Sequence, residues 1–498
     1  MNEKVIIIGS GFSSLSSACY LSKKGYQVEV FEKNESLGGR ARQFKKDGFT
    51  FDMGPSWYWM PDIFEKFFND FNKSPSEYYD LKKLDPAYEV YFGTKDKTVI
   101  EGNLDKIISV FEKEENGSGK KLKKFIEKAK ENYDIAINKI VYKPGKSPLE
   151  LITFETVKRL NLFIRNIKDD VNKNFKNPKL RQLLQFPVLF LGAKPKDTPA
   201  FYNFMNFADY GLGTWHPEGG IYSVIEGMVK LAKSLGVKFH LNSSVEKITV
   251  NNYKATGVIV NKILHTADVI LSGADYHHTE TLLDKKLRVY SENYWSKKIF
   301  APSSLLFYVG LNKKIKDVAH HTLFFDVDFD KHAAEIYDNP KWPEDPLFYV
   351  NFPSKSDPSM APKGKEACFI LIPLAPGLND TKDLRKKYLE LVIKRLELRT
   401  EQEINKHILF KESFCINDFI SQYNSYKGNA YGMAMTLFQT AFLRPKMESK
   451  KVKGLYFSGQ LTVPGPGVPP SLISGKISAG LVEKYLRKPN KLFQFLHP

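Results

Sequence analysis

The first 33 residues constrain this chain most, because they can fold in few ways other than strand, tight turn, helix and second strand. KVIIIG is an apolar run of strand length, LSSACYLSKKG is long enough for a helix, and YQVEVFEK reads as the next strand. Between the first strand and the helix lies Gly9-Ser10-Gly11-Phe12-Ser13-Ser14. Glycines at such a turn let backbone N–H groups at a helix N-terminus approach a pyrophosphate closely. The usual third glycine of the pattern is Ser14 here, so a small side chain must fit where helix and strand pack together. The second strand ends at Glu32, with Lys33 beside it, about 20 residues after the glycines, the distance at which a carboxylate accepts hydrogen bonds from the ribose of a dinucleotide. An acidic residue there disfavours a 2′-phosphate and therefore NADP.

Two further turns bear on the choice between NAD and FAD. Leu37-Gly38-Gly39-Arg40 comes directly after Glu32; its paired glycines allow close backbone approach, and Arg40 can pair with a phosphate. Asp52-Met53-Gly54-Pro55-Ser56 is another turn with little side-chain bulk. A soluble NAD needs neither addition, whereas a cofactor held along its whole length needs both, so FAD is the expected cofactor. Taken singly, Gly38-Gly39 is only a turn; the reading rests on order and spacing.

Nucleotide-domain character returns twice. Val224, Met228, Leu231 and Leu235 sit at helical spacing ahead of a strand read as ending near Val245, and ADVILSGAD reads as a further strand. The segment GLYFSGQLTVPGPGVPPSLISGK is again strand, Gly/Pro-rich turn and helix. The expected fold class is α/β: a Rossmann-like dinucleotide domain assembled from the discontinuous segments 1–80, 214–275 and 451–498, with an inserted α+β domain from 81–213 and 276–450. The Lys-rich stretch from about 113 to 142 favours a solvated helix. Phe186 to Phe190 and Phe201 to Phe207 are aromatic without clean alternation, which suits either the wall of an apolar tunnel or ordinary core.

Composition narrows the class further. With 42% hydrophobic and 13% aromatic residues over 498 positions, the chain can bury a sizeable core. Lys and Arg outnumber Asp and Glu by 74 to 56, a field that favours anionic partners such as phospholipid surfaces. Nucleic acid is not expected, since the chain has no RNP-like aromatic motif, zinc knuckle or recognisable helix-turn-helix. Cys19, Cys368 and Cys415 lie far apart with no CxxC pair, so neither a disulfide framework nor a metal site is expected, and a reducing cytoplasm fits best. The run Val5 to Ile8 is too short for a signal core, and no stretch reaches the roughly 18 apolar residues of a spanning helix. Any membrane contact should be peripheral.

The run from Gly9 to Ser56 resembles the FAD-binding signature of the amine oxidase and phytoene desaturase superfamily. His216-Pro217-Glu218-Gly219-Gly220 and the strand leading to Val245 resemble the family's aromatic-Pro-x-Gly-Gly element and its adenine-contacting strand. The closing segment resembles the family's flavin-contacting motif, which implies cofactor roles for Gly459, Gln460, Gly467, Val468 and Pro469. Gln460 stands where amine oxidases commonly place an acidic partner for the ribityl chain, and Pro464-Gly465-Pro466-Gly467-Val468-Pro469 looks like the carotenoid desaturase form. The resemblance implies a substrate- and membrane-facing second domain, an apolar polyene substrate, and a cytoplasmic enzyme peripheral to the cytoplasmic membrane that is reoxidised by oxygen or a quinone. It implies desaturation of a C40 precursor, phytoene to lycopene or neurosporene. A related desaturase, isomerase or saturase of a modified polyene, and a flavin amine oxidase, stand as alternatives. The ionisable Asp209, His216 and Glu218 flank the Pro-x-Gly-Gly element, and none is assigned as a catalytic base.

Overall fold

The computed structural model describes residues 3–487. Its organising element is a five-stranded parallel sheet whose strands come from three distant parts of the chain, in the order Leu455–Phe457, Val269–Ser272, Lys4–Ile8, Gln27–Phe31, Lys238–His240. The opening strand is central, and it is apolar at every position from Val5 to Ile8 because both of its faces are covered. Val5 and Ile7 join one core cluster, whereas Ile6 and Ile8 join another. Each such side chain contributes roughly 1.5–3 kcal/mol by leaving water.

The beginning and end of the chain meet through two helices, Phe12–Lys23 and Val468–Leu486. Their crossing is made of small residues. Ser16 Oγ donates to the Leu472 carbonyl at 2.8 Å, Ser17 Oγ lies 3.0 Å from Ser478 Oγ, and a Cβ on Gly475 would sit 2.4 Å from the Ser13 carbonyl oxygen. Backbones this close exclude larger side chains, which explains the serine-rich SSLSSA of the first helix.

A second sheet of seven strands runs Ile408–Phe414, Ser303–Leu311, Glu366–Leu374, Phe348–Asn351, His321–Phe324, Tyr88–Tyr91, Lys97–Ile100. Its neighbours are antiparallel except His321–Phe324 against Tyr88–Tyr91. Helix Lys382–Thr400 covers one face through Tyr388, Leu389, Val392, Ile393 and Leu396, which pack with Leu305, Phe307 and Val309. The other face carries Ser304, Leu306, Leu323, Tyr349 and Leu371 and is turned toward a cavity. Alternation along the strands therefore separates core from cavity, but with apolar residues on both faces it left no alternation in the sequence.

One reading of local structure is corrected, and one left open between two alternatives is settled. Val245 does not end the strand after the helix Ile221–Ser234; that strand is Lys238–His240, and Val245 begins Val245–Asn251, the first of a three-stranded antiparallel sheet. The polar Asn242-Ser243-Ser244 between them is the break. Phe201 and Phe204 are buried core residues rather than tunnel wall, Phe201 stacking on Phe163 at 4.6 Å.

Candidate active site

One continuous cavity runs from the ends of the parallel strands to the open face of the seven-stranded sheet. Every residue singled out as a cofactor contact lines it except Ser14. Ser14 is fully buried, and a Cβ on Gly273 would lie 2.0 Å from its hydroxyl. It packs the first helix against the end of strand Val269–Ser272, so the serine that replaces the usual third glycine is a packing position and not a lining one.

The nucleotide end is shaped by close backbone approach. Gly39, at φ +58°, lies so near the first turn that an added Cβ would be 3.2 Å from Gly11 Cα, and Gly38 N donates to the Ser10 carbonyl at 3.1 Å. Gly11 is different: a Cβ there meets nothing within 4 Å, because it would project into open space. Gly11 also offers no side-chain cap, so the first N–H groups of the helix face outward unclaimed. Glu32 borders this end. Its carboxylate accepts from Ser10 N and Oγ at 3.0 and 2.6 Å and from Asn34 N at 2.9 Å, so it fixes the turn as well as lining the cavity.

Arg40 supplies the cation. Its Nη2 donates to Ser425 Oγ at 3.0 Å, and the Gln460 amide oxygen, turned to suit its neighbours, accepts from Nη2 at 3.1 Å and from Gly432 N at 3.2 Å. Arg40 Nε is buried without a partner. Burial lowers the pKa of this guanidinium, and nearby Asp275 opposes that shift. A buried cation with an unused donor, a glycine turn open to the cavity and an uncapped helix start together suit a pyrophosphate. The residues present therefore fit a dinucleotide.

The Pro-x-Gly-Gly element works from behind. Asp52 caps the helix Ile221–Ser234, accepting from Ile221 N at 2.7 Å and Tyr222 N at 3.1 Å, and burial pushes its carboxyl up to about 6. Gly220, at φ +87°, leaves the space that Asp52 occupies. None of the three ionisable residues flanking this element lines the cavity. His216 pairs with Asp357 at 3.1 Å, Glu218 is exposed, and Asp209 is buried, accepting from Tyr88 Oη at 2.8 Å, with burial raising its pKa to about 8.

The far end is apolar and aromatic. Trp57, Trp59, Phe186 and Phe190 form one cluster, with Trp57 and Phe190 ring centroids 5.7 Å apart and Trp59 and Phe190 4.8 Å apart. Leu306, Leu323, Tyr349 and Leu371 form the opposing wall. Of these, Phe186 to Phe190 were legible as possible wall, whereas Trp57, Trp59 and the sheet residues were not singled out in the sequence.

Fold and site define a dinucleotide-binding oxidoreductase with an apolar substrate chamber. The chain belongs to the flavin containing amine oxidoreductase family, whose model matches residues 12–482, and FAD is its cofactor. It is 40% identical over 485 residues to a carotenoid 3,4-desaturase of Haloarcula japonica, covering 96% of this chain and 97% of that one. It is 33% identical over 489 residues to a 4,4′-diapophytoene desaturase (4,4′-diaponeurosporene-forming) of Staphylococcus haemolyticus, covering 95% and 97%. Among solved structures, an oxidoreductase from Methanosarcina mazei matches at TM-score 0.61 and 18% identity, covering 96% of this chain and all of that one. Putrescine oxidase bound to putrescine matches at TM-score 0.60 and 14% identity, covering 97% and 99%. These two share the fold.

Proposed function

We propose that this chain is a carotenoid desaturase, and that its substrate is phytoene. The observation that carries the reading is the single cavity, which joins a dinucleotide cradle to a chamber walled by Trp57, Trp59, Phe190, Leu306 and Leu371. Similarity to carotenoid and diapophytoene desaturases supports a long polyene as the occupant. The higher identity to the 3,4-desaturase favours, as a second reading, an already conjugated polyene.

Gly9, Ser10, Gly11, Phe12 and Ser13 would hold the pyrophosphate with Arg40; Glu32, Lys33 and Val245 would border the adenosine half; Gly54, Pro55, Ser56, Gly459, Gln460, Gly467, Val468 and Pro469 would border the flavin half. When bound, the flavin supplies a hydride acceptor. The chain itself excludes water and aligns the polyene along the sheet face, since a hydrocarbon gives no polar handle and apolar area must hold it.

A hydrocarbon polyene partitions into membranes, and the surface suits one. No helix among the described residues is long and apolar enough to cross a bilayer. Leu149, Ile152, Phe154, Val157, Leu160 and Ile164 are exposed on short helices interspersed with Lys146, Lys158 and Arg159. Exposed Phe438 belongs to the same region, because Phe163 stacks on Phe201 and the adjoining Tyr202 bonds Thr440 at 2.6 Å. This patch, and not the Phe201–Phe207 stretch, is proposed to rest on an anionic bilayer at the cytoplasmic membrane. Oxygen or a membrane quinone is the proposed electron acceptor.

The test is anaerobic bleaching of the purified holoenzyme's flavin by liposomes carrying phytoene, a conjugated carotene or an aliphatic amine. Bleaching by phytoene alone supports the first reading and by the conjugated carotene alone the second; bleaching only by the amine overturns both. Replacing Phe154 and Leu160 by Asp should cut co-sedimentation with anionic liposomes about tenfold without loss of FAD.

A further inference from the structure

We propose that Tyr349, His321 and His320 form a proton-release line from the catalytic cavity to a second pocket on the protein surface, with Ser56 and Ser356 at its two ends. The proposal rests on the desaturase reading. Making a double bond removes a hydride from one carbon and a proton from its neighbour. With a bound flavin available as hydride acceptor, the electron pair of the second C–H bond would become the new π bond, and its proton would have to be accepted by the protein and leave an apolar chamber.

Hydrogen bonds lead from the cavity as far as His321, and a ring contact continues the line to His320. Ser56 and Tyr349 line the main cavity, and their hydroxyls are 3.0 Å apart. Tyr349 Oη lies 2.6 Å from His321 Nδ1. They meet because Tyr349 and His321 stand diagonally on neighbouring antiparallel strands, Tyr349 paired with Leu323 and His321 with Asn351. The His321 and His320 ring centroids are 4.4 Å apart, and His320 Nδ1 is 2.7 Å from Ser356 Oγ. His320 and Ser356 both line the second pocket, alongside Lys82, Lys97 and Asp317.

The protonation pattern suits transfer. Asn351 Nδ2 also reaches His321 Nδ1, at 3.3 Å, so Nδ1 accepts and the ring proton sits on Nε2. That nitrogen is buried without a partner. Burial, with neighbouring histidines and, at His320, Lys82, holds both imidazoles well below their usual range, so both rest neutral and neither retains a proton that reaches it. His216 lies 4.6 Å from His320 between ring centroids and is paired with Asp357. As the substrate proton reaches the Tyr349 oxygen, the hydroxyl's own proton passes to His321 Nδ1. The imidazolium then sheds its Nε2 proton toward His320 and the second pocket.

A merely structural His321 would serve as a stacking partner for Trp57, whose ring it faces at 4.0 Å and 10°. Two measurements separate the roles. In the 15N-histidine spectrum of the holoenzyme, His321 should show a protonated Nε2 whose hydrogen exchanges with solvent despite full burial, and His320→Phe should slow that exchange several-fold. In single-turnover flavin reduction by liposomal polyene, Tyr349→Phe, which keeps the ring and its packing, should lower the rate about 100-fold with unchanged FAD content and KM. Exchange unaffected by His320→Phe, or a Tyr349→Phe rate within about twofold of wild type, overturns the line. If no polyene reduces the wild-type flavin but the exchange is rapid and depends on His320, the line stands as a proton path and the desaturase reading falls instead.

Discussion

The nucleotide end of the cavity is built from turns whose residues are near one another in sequence, and the aromatic end from sheet positions that only topology brings together. Gly9, Gly11, Glu32, Gly39 and Arg40 all belong to one strand–turn–helix–strand unit and its continuation. Leu306, Leu323, Tyr349 and Leu371 sit on four strands of the second sheet. The first end is shaped by backbone geometry and charge, which tolerate almost no change; the second is shaped by apolar area, which tolerates a good deal. Substitutions at the two ends should therefore fail in different ways.

The largest effect is expected from Gly11→Val. Its Cβ meets nothing within 4 Å, so the fold should survive while the added side chain occupies the cradle. The purified protein should be colourless, with a melting temperature close to that of wild-type apoprotein. Next is Leu189→Lys, at a residue that lines the aromatic end of the cavity beside Phe190, where a charge should lower polyene turnover about 100-fold. Its FAD content should match the wild type, and loss of flavin would erase the distinction between the ends. Arg40→Ala should weaken FAD binding about tenfold to 100-fold by removing a charge-assisted donor, and Arg40→Lys should recover only part of this because a lysine lacks the planar fork.

The smallest effect lies outside both ends. Burial raises the Asp209 carboxyl to about 8, so the folded state holds a proton that the unfolded state releases near pH 4. Stability should therefore fall as pH rises from about 4 to about 8 and level off above. Asp209→Asn should flatten that slope in thermal denaturation while leaving flavin content and turnover unchanged.

The same contrast explains how much of the molecule was legible in its sequence. The glycine turns, Glu32, Arg40 and the closing Pro-Gly run were legible because each couples a local backbone demand to a residue type. Ser14 was legible as a small residue where helix and strand pack, but its partner was not: Gly273 follows a strand far along the chain. Val245 was assigned to the wrong strand because only tertiary pairing separates it from Lys238–His240. The chamber wall was hidden for a different reason. Strand Ser303–Leu311 is buried at every position, one face on a helix and the other toward the cavity, and no pattern in SSLLFYVGL separates the two. Tyr349 and His321 likewise meet only through strand register.

The most direct test of flavin-dependent desaturation is to express the chain in a host that accumulates colourless phytoene and to record the absorption spectrum of the extracted lipids beside a Gly11→Val strain. New visible bands from a lengthened conjugated system are predicted in the wild type and none in the variant. A yellow, FAD-loaded wild-type protein in cells whose phytoene is unchanged would contradict phytoene as the substrate.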